Sequence, residues 1–274
     1  MKVWLDGALV DEADARVSVF DHGLTVGDGV FETLKTYGGR AFALRRHLDR
    51  LAASAAGMGL AVPPANTLRA AVEAVVAASG LEAVAVRITV TGGLGPLGSG
   101  RGGGGPTVVV AARPLPLALP AVDVVVVPWP RNERGALAGL KTTSYGENVV
   151  ALAYARERGG DEAIFANLAG RLCEGTGSNV VVEHAGRLVT PPLAAGCLAG
   201  VTRALLLEAG AVVEEDVSLD ALASSSEAFL TSTTREVQPI GAVDGHPLPA
   251  GTPGPLTAGA GTLFAALVAK DLDP

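Results

Sequence analysis

Lys141 lies in Leu140-Lys141-Thr142-Thr143-Ser144-Tyr145, and between Gly135 and Gly146 the only other ionisable group is Tyr145. An ammonium in apolar surroundings loses solvation, which favours the neutral amine and suits it to act as nucleophile or base. Downstream, Cys173-Glu174-Gly175-Thr176-Gly177-Ser178-Asn179 sets one acid before a turn of small residues, where a buried carboxylate can hold a proton on a partner. Gly200-Val201-Thr202-Arg203 opens a helix. Its free N–H groups, its dipole and the Thr202 hydroxyl suit an anion. Thr231-Ser232-Thr233-Thr234-Arg235-Glu236 puts four hydroxyls in succession at a strand end, and His47-Leu48-Asp49-Arg50-Leu51 offers a cation. Taken singly, each has an ordinary explanation: a helix cap, a turn acid, a solvated loop, an exposed arginine on an amphipathic helix.

The elements that must position these groups are legible in pattern. Asp6-Gly7 between Lys2–Leu5 and Ala8–Val10 is a hairpin signal, because both residues tolerate positive φ. Val30–Thr36 alternates as a strand and turns at Gly38-Gly39. Apolar spacing predicts helices over Arg46–Met58 and Asn66–Ser79, followed by strands Val84–Val90 and Thr107–Ala112. The intervening 92–105 is glycine-rich, lacks phosphate-loop spacing and reads as a surface or lid loop with Arg101 as its only charge. Prolines at 114, 116 and 120 cannot continue a sheet and mark a connector. Beyond it come strands Val122–Val127, Glu162–Ala166, Val180–Val182, Arg187–Thr190, Ala211–Glu214 and Ala228–Leu230. Helices are expected over Gly146–Arg158, headed by the Lys141 run, over Thr202–Ala209 and over Gly254–Lys270. The expectation is a mixed α/β (α+β) protein of two subdomains: 1–112, a connector at 113–120, and 121–274 carrying Lys141.

Composition narrows the function. The chain has 274 residues, of which 49% are hydrophobic and 18% charged, enough apolar material for a large core. A net charge of −7 gives no basic footprint for nucleic acid. The two cysteines, Cys173 and Cys197, form neither a disulfide framework nor a metal-binding pattern. Asp6 and Gly7 interrupt the N-terminal apolar stretch, no signal peptide is read there, and no run suits a bilayer span. The expected setting is the cytoplasm.

A lysine nucleophile, a buried acid and two clusters of phosphate donors make up the donor set that pyridoxal 5′-phosphate requires. The aldehyde is held as a Schiff base, the ring nitrogen is kept protonated by a carboxylate, and helix N–H groups and hydroxyls neutralise the phosphate. At this point the chain resembles the class IV (fold type IV) pyridoxal-phosphate enzymes, which include branched-chain and D-amino-acid aminotransferases and aminodeoxychorismate lyases. The matching segments are 20–32 (Phe20-Asp21-His22 through Phe31-Glu32), His47–Leu51, Lys141, Glu174–Asn179, Leu198–Arg203 and Ser232–Pro239. They follow the family's order and spacing over nearly the whole chain.

The resemblance implies two subdomains with the cofactor in the cleft and a homodimer whose partner borders each site. It implies that Lys141 forms the Schiff base and shuttles a proton, and that Glu174 partners the ring nitrogen. Arg50, the Val201 and Thr202 N–H groups and the Thr202 and Thr233 hydroxyls would bind the phosphate. Thr234 resembles the substrate-carboxylate contact, and Phe31 an aromatic pocket wall. Tyr145 falls near the cofactor-O3′ tyrosine, one residue closer to the lysine than in branched-chain enzymes, and Asn179 is structural or supports the site residues from behind. The reaction implied is transamination between a small amino acid and a 2-oxo acid. The alternatives are 4-amino-4-deoxychorismate lyase and, remotely, a non-catalytic binding protein. A D-amino-acid assignment is weakened because 92–105 contains no histidine for an Arg-x-His carboxylate trap.

Overall fold

In the computed structural model, which describes residues 1–274, two-residue turns with positive φ at both positions build the edges of a first sheet. Asp6 (φ 46°) and Gly7 (φ 103°) join β1 (Lys2–Leu5) to β2 (Ala8–Asp11). After the one-turn α1 (His22–Thr25), Gly38 (φ 53°) and Gly39 (φ 71°) join β3 (Gly29–Tyr37) to β4 (Arg40–Ala41). Such turns match the right-handed twist of the strands they connect. Helices α2 (Leu44–Met58) and α3 (Ala65–Ser79) end on left-handed Gly59 and Gly80, as a glycine beyond the last turn favours. Strands β5 (Val84–Thr91) and β6 (Thr107–Pro114) complete an antiparallel sheet of order β2-β1-β6-β5-β3-β4. Leu34, Val86, Ile88 and Val110 on this sheet pack with Leu48 and Leu51 of α2 and Leu68 and Val72 of α3, all of them buried.

The second sheet begins with β7 (Val122–Val126), α4 (Gly146–Glu157) and β8 (Glu162–Ala166), a crossover joining two parallel neighbours. It continues through β9 (Leu172–Gly175), β10 (Asn179–His184), β11 (Arg187–Thr190), α5 (Val201–Glu208), β12 (Val213–Glu214) and α6 (Asp220–Ser224). Strands β13 (Ala228–Ser232), β14 (Glu236–Val243) and β15 (His246–Pro247) precede the closing helix α7 (Pro255–Lys270). The order is β12-β11-β10-β13-β14-β7-β8-β9. β9 also pairs back to β10 at Glu174 and Asn179, which closes β10-β13-β14-β7-β8-β9 into a ring. Val124, Ile164, Leu172, Val180, Leu230 and Ile240 form its buried interior. No helix is long and apolar enough to cross a membrane.

The chain divides into one unit of Met1–Pro116, Leu140–Tyr145 and Asp271–Pro274, and a second of Leu117–Gly139 and Gly146–Lys270. This corrects the sequence reading of 121–274 as one subdomain carrying Lys141. Residues 140–145 do not head α4, which starts at Gly146; Thr142 forms an isolated antiparallel bridge to Val30 of β3. Glu174 likewise sits within β9 rather than beside a strand, and the whole of β14 was unread.

Candidate active site

The Lys141 segment is stitched to the first unit along its backbone. Phe31 donates its N–H to the Lys141 carbonyl (3.1 Å), Thr143 donates to the Gly29 carbonyl (2.8 Å), and Val30 bridges Thr142. From α2, the Ser54 hydroxyl accepts the Lys141 N–H at 3.1 Å. The approach is close enough that a Cβ on Gly29 would meet the Thr143 hydroxyl at 2.9 Å and the Val90 carbonyl at 3.0 Å. Glycine at 29 is what lets the lysine-bearing strand lie against β3.

Lys141 Nζ lies 4.4 Å from the centroid of the Phe31 ring, which is 4% exposed and meets Tyr145 edge-on at 5.1 Å. The guanidinium carbon of Arg87, on β5, lies 3.6 Å from the same ring centre. Both distances are within the range of cation–π attraction. As a residue Arg87 is exposed, yet partial desolvation of its guanidinium end lowers its pKa from the usual value, with Tyr145 opposing. Its Nε donates to the Thr89 hydroxyl at 3.2 Å, and no carboxylate pairs with it. The sequence reading passed over Arg87; the signal was one charge inside the apolar run Val84–Val90.

Arg50 belongs to a buried triad on the same unit. Its Nε and Nη2 donate to the two oxygens of Glu32, each at 2.7 Å, and His47 Nδ1 donates to Glu32 Oε2 at 2.7 Å. Glu32 and His47 are 0% exposed. Burial alone would push the Glu32 carboxyl up, but the Arg50 charge and the hydrogen bonds from Arg50 and His47 overcome it and hold it at about 2. His47 is lowered, chiefly by burial and further by the Arg50 and Lys141 charges, against the pull of Glu32. Glu32 and His47 fell within family-matching segments, but their pairing was not read, since only β3 against α2 brings them together in space.

The second unit gathers the remaining candidates. Glu174 Oε2 accepts the Leu198 N–H at 2.9 Å, and Oε1 lies 3.3 Å from Arg131 Nε. That contact is an ion pair without hydrogen-bond geometry, because the buried Arg131 Nε–H finds no acceptor. Arg131 stacks its guanidinium 4.1 Å over Phe165 and donates from Nη2 to the Asn148 side chain at 2.8 Å. The sequence reading passed over it, one of three charges in Arg131-Asn132-Glu133-Arg134. Asn179 Nδ2 donates to the Leu198 carbonyl at 2.8 Å, a structural role, and its Oδ1 would lie 2.0 Å from a Cβ on Gly200. Gly200 caps α5 without any side-chain hydrogen bond, so the Val201 and Thr202 N–H groups open a helix no side chain closes. The Thr202 hydroxyl sits in a residue only 3% exposed. Thr233 and Thr234 lie in the turn 233–235, closed by Glu236 at φ 58°. The glycine-rich 92–105 is fastened rather than loose: Arg101 forks onto both oxygens of Asp28 (2.7 Å each) and donates to the Met58 and Gly59 carbonyls.

The family model for amino-transferase class IV matches residues 29–243. The branched-chain-amino-acid aminotransferase of Pseudomonas aeruginosa is 32% identical over 93% of this chain and 89% of its own length. The D-alanine aminotransferase of Bacillus licheniformis is 32% identical over 94% and 93%. The crystal structure of a branched-chain aminotransferase from Thermoproteus uzoniensis with norvaline superposes at a TM-score of 0.90 and 34% identity, covering 98% of this chain and 94% of that one. Class IV aminotransferases use pyridoxal 5′-phosphate. The chain belongs to the class IV aminotransferases and is an enzyme of the fold type IV architecture.

Proposed function

We propose that this enzyme binds pyridoxal 5′-phosphate through Lys141 and transfers an amino group between a small aliphatic amino acid and a 2-oxo acid. The donor set fits the group: one amine against an aromatic ring, one carboxylate held by a main-chain N–H, and an uncapped helix N-terminus beside hydroxyls. When bound, the cofactor supplies a carbonyl that condenses with amines and a ring that takes up the electron pair left on the substrate α-carbon. Lys141 Nζ would hold the cofactor and would move the proton to and from the substrate α-carbon. Glu174 would accept a hydrogen bond from the ring nitrogen and keep it protonated. Arg50, oriented by Glu32 and His47, joins the Val201 and Thr202 N–H groups and the Thr202 and Thr233 hydroxyls on the phosphate. Phe31 and Tyr145, packed edge to face, would wall the reacting side and limit water, and Tyr145 would bind the cofactor's phenolic oxygen. Thr234 takes the substrate carboxylate.

Arg87 extends the reading to the second substrate. A guanidinium with no carboxylate partner, 3.6 Å from the ring that Lys141 Nζ also touches, suits the distal carboxylate of a dicarboxylic 2-oxo acid. Val19, Phe20, Leu24, Leu94 and Leu97, between 53% and 73% exposed, support a homodimer, since apolar side chains of that number seek cover. The two free, buried cysteines suit a reducing cytoplasm.

The observation that carries the reading is Lys141 Nζ held against Phe31 in a chain of this family. Purified protein given pyridoxal 5′-phosphate turns yellow, and borohydride fixes the cofactor to a peptide containing Lys141. Lys141→Ala abolishes both signals. Single amino acids then convert the bound cofactor to its amine form. Release of pyruvate and 4-aminobenzoate from aminodeoxychorismate, with no such conversion, would instead establish the lyase.

A further inference from the structure

Glu162, on β8, is 0% exposed and lies outside the donor set described above. Two loops converge on its carboxylate. From the turn after Glu174 come the Thr176 N–H (3.2 Å), the Thr176 hydroxyl and the Ser178 hydroxyl (3.5 Å). From the turn between β13 and β14 comes Arg235, whose Nη1 donates at 2.7 Å. The Ala163 N–H adds another donor at 3.1 Å. A buried carboxylate persists only when its charge and its lone pairs are met, and here Arg235 is the cation that meets them. Arg235 follows Thr233 and Thr234 directly, and its own N–H is held by the Ser232 hydroxyl at 3.3 Å. Ser232 and Glu236 pair across the hairpin and bound this turn.

We propose that Glu162 and Arg235 are positioning residues: their ion pair fixes the Thr233–Thr234 turn in the geometry that binds the cofactor phosphate and registers it to the strand carrying Glu174. The inference rests on the reading of Thr233 as a phosphate donor.

The test is the equilibrium affinity of cofactor-stripped, full-length protein for pyridoxal 5′-phosphate and for pyridoxal, which lacks the phosphate, followed by quenching of intrinsic fluorescence. Arg235→Ala lowers affinity for the phosphorylated ligand about tenfold, the size of one displaced charge-assisted contact, and leaves pyridoxal affinity unchanged. Arg235→Lys, which keeps the charge, recovers part of the loss. A purely structural role would weaken both ligands equally or neither, and either result overturns the proposal. If Arg235→Ala aggregates, Arg235→Gln retains the alkyl stem and reads the same ratio. Thr233→Ala is the control. If it leaves the ratio unchanged, the phosphate reading of Thr233 falls and this inference with it. If it changes the ratio while the Arg235 variants do not, the inference alone falls.

Discussion

Two arginine–carboxylate pairs, one in each unit, are built to opposite specifications. Glu32 is 0% exposed, forked by Arg50 at 2.7 Å on both oxygens and capped by His47. Glu174 keeps 13% of its side chain exposed, takes a main-chain N–H on one oxygen, and meets Arg131 at 3.3 Å without a hydrogen bond. Arg131 is stabilised elsewhere, by stacking on Phe165 and by Asn148. A saturated pair resists rearrangement because every partner would have to be replaced at once. A loosely matched pair yields to a better donor at little cost. The first arrangement suits a carboxylate that orients a neighbour, the second one that receives a ligand.

The largest test of that contrast is Glu174→Ala. Loss of one preorganised electrostatic partner lowers kcat on the order of 10^2–10^3-fold, with thermal stability close to wild type. Steady-state kinetics at saturating cofactor, beside a melting curve, reads both quantities. Unchanged kcat would remove Glu174 from the chemistry.

Glu32→Gln reverses the pattern. It leaves Arg50 and His47 short of a buried anion and costs about 3–5 kcal/mol of folding stability, read by urea unfolding. The pH dependence follows from the same groups. Glu32 sits at about 2 against 4.5 for an ordinary carboxyl, and His47 lies below its usual 6.5, so both bind protons more readily unfolded than folded. Stability is therefore complete above pH 6.5. It falls as the unfolded-state His47 protonates, and again from pH 4.5 down to about 2 as Glu32 does. In Glu32→Gln the lower of these two steps disappears. A variant as stable as wild type, with an unchanged acid limb, would show that the triad is not what the geometry describes.

How much of this was legible in sequence follows from the range of the forces involved. Turns at Asp6-Gly7 and Gly38-Gly39, and helix ends at Gly59 and Gly80, are local consequences of residues that accept positive φ, and they stand where pattern reading put them. Lys141 was singled out as the one charge in its run, but its segment was misplaced. Its segment has no cap or periodicity of its own, and what places it is a bridge to β3, more than a hundred residues earlier. β14 was missed because Pro239 argues against a strand, yet it pairs with Phe229 across the hairpin. Glu32, His47 and Arg50 are each visible in the chain. That they form one network is a property of β3 against α2, which no single segment encodes.

The smallest effect comes from a third arginine–carboxylate pair, Arg101 with Asp28, which separates burial from geometry in this comparison. Its fork is as short as that on Glu32, 2.7 Å on each oxygen, but 35% of the Arg101 side chain is in solvent. Hydrogen bonding from Arg101, with help from His22, lowers the Asp28 carboxyl below its usual range despite partial burial. Solvent screens such a pair, and double-mutant cycles on exposed pairs give about 0.2–1 kcal/mol. The donations from Arg101 to the Met58 and Gly59 carbonyls at the end of α2 add to that modestly. Arg101→Ala therefore costs about 1–2 kcal/mol, and raising the salt concentration shrinks the difference from wild type, whereas the Glu32→Gln deficit stays fixed. Equal costs for the two substitutions would mean that fork geometry alone, and not burial, sets the strength of these pairs.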